Sequence, residues 1–141
     1  MHPEPCTIPS SMRPFSVRFS LIVLFAGLAG CASDLRVTTI QLGRSLNTDN
    51  TVASHTTTFK PSETVYVSVH TAGSGSGSLG VRWSYEGRVV GEPKKDISYR
   101  GAVATEFHLQ NAGGFPPGDY RVEAFLNGES AGVKEFRVEN R

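Results

Sequence analysis

Apolar residues recur at every second position through most of the chain beyond residue 35. Val65, Val67 and Val69 alternate with Tyr66, Ser68 and His70 over Thr64–Thr71. Leu79, Val81, Trp83 and Tyr85 share one phase over Leu79–Glu86. Val103, Thr105, Phe107 and Leu109 do so over Ala102–Gln110, and Tyr120, Val122, Ala124 and Leu126 over Asp119–Asn127. A period of two puts such residues on one side of a pleated strand. Leu35–Leu42 reads as a first, irregular strand, Arg88–Gly91 as a short one, and Ala131–Val138 as the last. Turn signals fall about every 8–12 residues, with Asn127-Gly128 a strong hairpin signal. Two segments break the pattern. Gly43–Lys60 is polar and Thr-rich, and reads as a long connection ending at Phe59. Gly73–Ser78 alternates Gly with Ser and reads as a flexible loop. No stretch carries a 3.6-residue apolar period, so no long helix is expected. The expectation is an all-β, two-sheet sandwich of seven or eight antiparallel strands over residues 35–141.

Particular residues sharpen this. Trp83 falls in the middle of the third long strand. Pro117-Gly118-Asp119-Tyr120 leads into the penultimate strand, and the run Gly118–Gly128 followed by Phe136-Arg137-Val138 closes the chain. This pattern, spread over Pro61–Val138, resembles small bacterial immunoglobulin-like domains. The resemblance implies that Trp83 is a core tryptophan. It also implies that Tyr120 forms a tyrosine corner, its phenol bonded to backbone a few residues upstream. The inter-sheet disulfide of antibody domains is missing. Such folds carry many functions, so the resemblance fixes none.

The N-terminus has a different composition. Residues 1–11 are polar and contain Pro3, Pro5 and Pro9. From Met12 a start carrying Arg13 and Arg18 gives way to an apolar run beginning at Phe19, and then to Leu28-Ala29-Gly30-Cys31. Charge, short apolar core and small-residue exit are the parts of a secretory signal. Phe19–Gly30 is 12 residues, short of the about 20 that span a bilayer. The last four residues resemble the lipobox of bacterial lipoproteins. The resemblance implies cleavage between Gly30 and Cys31 and acylation of Cys31, whose thiol supplies the nucleophile. Several acyl chains hold durably where one holds only marginally. Met12–Gly30 is a complete signal of 19 residues. Translation is therefore expected to start at Met12, with residues 1–11 an upstream extension. Residues 31–34 form the lipidated cysteine and a short tether. Ala32 follows the cysteine, and Asp34 lies two positions too late for an inner-membrane retention signal. The expected location is the cell envelope, on the outer membrane facing the periplasm.

Charge adds little. Residues 32–141 carry 12 basic and 12 acidic side chains and no cysteine. Such a chain has no electrostatic footprint for nucleic acid, and its core must hold without disulfides.

Candidate chemistry is sparse. His70 and His108 fall on the outward phase of their strands. With Val65 paired near Leu109, His70 lies opposite about residue 104, roughly 13 Å from His108 at about 3.3 Å per residue. That separation is too wide for one metal, and no metal or other cofactor is expected. Gly73–Gly77 superficially matches Gly-x-Ser-x-Gly, but it leads into a strand rather than a helix. Glu86, Glu92, Asp96, Glu106, Glu123 and Glu135 mostly alternate with apolar residues and read as solvated faces. Lys94-Lys95 reads as a charged guard near a sheet edge. No catalytic residue is singled out, and an enzyme is not expected. The outward phases are more suggestive. Arg82 on one strand, Arg121 and Phe125 on the next, and Val133 on the last would form an apolar spot ringed by charge if these strands adjoin. The function expected is non-catalytic binding or accessory assembly, with the bilayer and a second envelope protein as partners. A small-ligand carrier and an envelope glycan or lipid hydrolase with dispersed carboxylates are the alternatives.

Overall fold

The computed structural model describes residues 34–140, all in strands, turns and loops with no helix. Nine strands form: β1 (Arg36–Gly43), β2 (Thr58–Phe59), β3 (Val65–Ala72), β4 (Ser74–Tyr85), β5 (Arg88–Gly91), β6 (Lys94–Arg100), β7 (Val103–Leu109), β8 (Gly118–Leu126) and β9 (Glu129–Val138). The smaller sheet has order β1-β3-β7. The larger has order β2-β9-β8-β4-β5, with β6 pairing β4 beyond β5. Every pairing is antiparallel except β2 with β9.

The alternating runs do what their period requires. Val65, Val67 and Val69 from β3 are fully buried against Leu79, Val81 and Trp83 from β4 and Val122 and Ala124 from β8. At about 1.5–3 kcal/mol for each fully buried large apolar side chain, this layer drives the fold. Aromatic rings fill its upper half. Phe136 stacks on Tyr120 at 5.2 Å and meets Trp83 and Phe59 edge-on at 6.0 and 5.5 Å. The register of β3 with β7 is the expected one, Val65 facing Leu109 and His70 facing Ala104. Both tight hairpins turn on a residue pair with positive φ: Glu86-Gly87 at 48° and 81°, and Asn127-Gly128 at 52° and 82°. Two successive positive values give the type I′ geometry whose twist suits a two-residue hairpin.

Two expectations are corrected. Gly73–Ser78 is not a flexible loop, because Ser74–Ser78 is the lower half of β4, laddered onto Arg100–Asp96 of β6. Glycine and serine have low strand propensity, but the backbone ladder does not need their side chains. Among the described residues the strands number nine rather than seven or eight, because β6 and the two-residue β2 pass unmarked in the sequence. β6 buries Ile97 and half-buries Tyr99. The Tyr99 hydroxyl meets Thr105 Oγ1 at 2.8 Å. Lys95 lies over the Phe107 ring and donates to the Glu106 carbonyl. β6 thus closes the open side of the sandwich against β7.

Candidate functional site

The tyrosine corner forms as its residues suggest. Tyr120 is buried at the start of β8, and its hydroxyl donates to the Pro116 carbonyl at 2.7 Å. Tyr85, its register partner on β4, donates to the Pro117 carbonyl at 3.0 Å, and the two rings lie 4.6 Å apart. Burial pushes the Tyr120 phenol up to about 12, with help from Tyr85 and Glu86. Trp83 is wholly buried at the centre of the core. Both residues lie in the packed apolar layer.

The outer face of the larger sheet brings the candidate partner residues onto adjacent strands. Arg82 faces Glu123 across β4 and β8, and Glu123 faces Val133 across β8 and β9. Phe125 lies one row lower, opposite Gly80, and a bulge between Ala124 and Phe125 shifts it to face Ser130. Phe125 and Val133 are therefore diagonal rather than side by side. The Arg82 guanidinium sits 4.7 Å over the Phe125 ring, and Glu92 holds Arg82 through a 2.6 Å ion pair. The expected apolar spot is thus divided. Phe125 is half-buried beneath Arg82, and Val133 is exposed beyond Glu123. Arg121 is exposed in the row above, 3.6 Å from Glu123, and Ser130 donates to Glu123 at 2.6 Å.

The most exposed large apolar side chains are elsewhere. Val89 and Val90 on β5 are 53% and 49% exposed. A bulge against Trp83 and Ser84 loosens the pairing here. Two consecutive valines directly after a Glu-Gly turn were the available sequence signal. An open groove of about 730 Å³ crosses the β4, β8 and β9 ends beside the corner, lined by Ser84, Glu86, Asp119, Arg121, Glu135 and Arg137 among others. Arg137 pairs with Asp119 at 3.0 Å, and Glu86 accepts the Asp119 N–H at 3.1 Å. A smaller cleft of about 270 Å³ lies around Arg82, Glu92, Lys94 and Phe125.

Of the remaining candidates, Glu86 and Glu135 line the open groove, and the others do not converge. His70 and His108 share the outer face of the smaller sheet, two rows apart, and His108 contacts Glu106. Among the described residues no group of three His, Cys, Asp or Glu side chains could hold a metal ion. Glu106 and Glu123 lie on opposite sheets. Glu92, Glu106 and Glu123 each have a cationic neighbour, respectively Arg82, Lys95 and Arg121. Glu63, on the loop before β3, is pushed up by burial. The Lys60 N–H and the Arg44 guanidinium outweigh this and hold it below the usual carboxylate range. Cys31, Gly30 and the rest of the signal lie outside the described residues.

Comparison with known proteins adds one firm point. An immunoglobulin-like protein from Pseudomonas aeruginosa superposes with a TM-score of 0.54 at 14% identity, over 78% of this chain and 100% of that one. The fold is immunoglobulin-like. A CARDB domain from Pyrococcus furiosus gives 0.45 at 15% identity, over 75% of this chain and 86% of that one. A DNA glycosylase from Pseudomonas fluorescens gives 0.48 at 13% identity, over 75% of this chain but only 30% of the enzyme. These last two are too distant to add weight. No protein family and no curated protein matches the sequence.

Proposed function

We propose that this chain is a lipid-anchored envelope protein. It acts without catalysis, as a binding or accessory module for a second envelope protein. The signal peptide is cleaved before Cys31, Cys31 is acylated, and the outer membrane is the anchoring bilayer. The observation that carries this reading is Leu28-Ala29-Gly30-Cys31 directly before an immunoglobulin-like domain. The partner meets the outer face of the larger sheet, which carries Val133, Arg121, Arg82 and the edge valines, with an open groove beside Arg121. The cations paired with Glu92, Glu106 and Glu123 favour binding over hydrolysis. The filling of the inter-sheet layer by Trp83, Phe107, Tyr120 and Phe136 disfavours a small-ligand carrier.

Mass spectrometry of the membrane fraction tests the anchor. The expected N-terminal peptide begins at Cys31 and carries acyl chains, and Cys31→Ser releases the protein from membranes. A photo-cross-linker at Val133 tests the face. It is expected to trap one envelope protein in stoichiometric yield, whereas a cross-linker at Thr39 on the smaller sheet traps none. Equal capture at both positions would overturn the face assignment.

A further inference from the structure

The chain enters the fold at one end of the sandwich, and it is fixed there more firmly than a tether would be. Asp34 Oδ1 accepts the Ser74 N–H at 2.7 Å, and the Asp34 carbonyl accepts from Arg36 at 3.2 Å. Leu35 is already in the core. Gly73, at φ 83°, lies so close that a Cβ there would collide with the Asp34 carbonyl. The Gly73 carbonyl in turn accepts the Gly101 N–H at 3.0 Å, which joins the β3–β4 and β6–β7 turns into one platform. Asp34 therefore belongs to the folded body. Ala32 and Ser33 alone separate it from Cys31.

We propose that this platform is a membrane-facing surface. The turns at Gly73 and Gly101 rest against the phospholipid headgroups of the bilayer that holds Cys31. The proposal rests on the lipid-anchor reading above and adds an orientation to it. Three Cα steps, from residue 31 to residue 34, reach about 10 Å when fully extended. A domain fixed at Asp34 cannot turn its other end to the bilayer on so short a lead. The chemistry of the platform suits headgroups. Arg36 and Arg100 are exposed there, and guanidinium groups bind phosphate well. The neighbouring β4 ribbon offers only glycine and serine over Ser74–Ser78, so no bulky side chain holds the platform off the surface. β4 then rises from Ser74 to Tyr85, about 37 Å at 3.3–3.4 Å per residue. Glu86, the groove beside it and the edge valines are carried toward the far end. A partner using that part of the larger sheet meets it well above the headgroups.

The test uses the full-length lipidated protein in vesicles containing phosphatidylglycerol. Cleavage before Cys31 removes Cys6, and acylation occupies the Cys31 thiol, so an added cysteine is the one label site. Ala102→Cys labels the platform, and Ser62→Cys labels the opposite end. Both residues are exposed. With a nitroxide on the lipid headgroup, the fluorophore at residue 102 is expected to be quenched at least twofold more than that at residue 62. Ten residues inserted after Ser33 should erase the difference. Equal quenching at the two sites, in protein that sediments with the vesicles, overturns the orientation and leaves the anchor standing. Protein that carries no acyl group and does not sediment overturns both.

Discussion

Leu79–Tyr85 and Ser74–Ser78 belong to one strand of 12 residues, yet different forces hold them. The upper segment pairs with β8 and buries Leu79, Val81 and Trp83, each at 2% exposure or less. The lower segment runs past the end of β8 and ladders onto β6, with Asp34 and Asn127 bonded to its two ends. Its own side chains bury little. What core it has comes from across the ladder, where Ile97 faces Gly77 and Tyr99 faces Gly75. The upper half is a packed wall and the lower half a backbone ribbon pinned by its neighbour. Local stability follows buried apolar contact rather than strand membership, so the two halves should come apart separately.

The largest perturbation should be Trp83→Ala. Removing a wholly buried tryptophan from a core typically costs about 3–5 kcal/mol. A urea titration should show that loss as one cooperative transition, because Trp83 meets Phe136 and sits over both sheets' apolar layer. A loss below about 1 kcal/mol would place the core elsewhere and dissolve the contrast.

Ile97→Ala is the sharper probe. Its truncation should cost about 2 kcal/mol, the low end for an aliphatic core residue, because it lies at the sheet's margin. Hydrogen exchange should accelerate at the Ser74–Ser78 amides and leave the Leu79–Tyr85 amides protected. Uniform acceleration along β4 would mean that the halves open as one unit.

Tyr120→Phe tests the upper half chemically. The variant leaves the Pro116 carbonyl without its donor, at a cost of about 1–2 kcal/mol. It should also change the alkaline limb. The buried phenol is pushed up to about 12, whereas an unfolded tyrosine titrates near 10. The native state therefore favours the neutral form. The associated stability is complete below about pH 10 and lost as pH rises toward about 12, roughly 2–3 kcal/mol in all. Denaturation midpoints measured from pH 9 to 12 should fall in the wild type and stay flatter in the variant.

The same contrast explains what the sequence reveals. Val65 to Val69, Leu79 to Tyr85 and Tyr120 to Leu126 show their strands because one face of each is buried, and burial writes a period of two into the residue types. The β3–β7 register and the tyrosine corner follow from those strands. Ser74–Ser78 and Lys94–Arg100 are joined by backbone hydrogen bonds, which leave almost no mark on composition. The one buried side chain of β6, Ile97, is too little to form a pattern, and the Gly-Ser repeat resembles a linker. At the candidate face, the residues were legible and their spacing was not. Alternation alone placed Phe125 and Val133 outward. Their diagonal placement follows from the register that sets Glu123 opposite Val133, which depends on how two strands meet, as does the cover that Arg82, paired with Glu92, lays over Phe125.

The smallest effect expected is at Phe125, where the partner face and the fold make different demands. A ring buried in the core would cost about 3–5 kcal/mol on truncation. Phe125 is half-buried, and it packs under Arg82 rather than into the inter-sheet layer. A cation–π contact at a partly exposed site contributes about 0.5–1 kcal/mol, so Phe125→Ala should cost about 1 kcal/mol or less. Arg82→Ala should cost a similar amount, and the double variant less than the sum, because each single change already removes the shared contact. Cross-linking from Val133 should nonetheless weaken in both variants, since the ring and the guanidinium shape the surface beside it. A stability loss of several kcal/mol at Phe125 would instead make the outer face part of the core, and would move the partner site to the β5 valines.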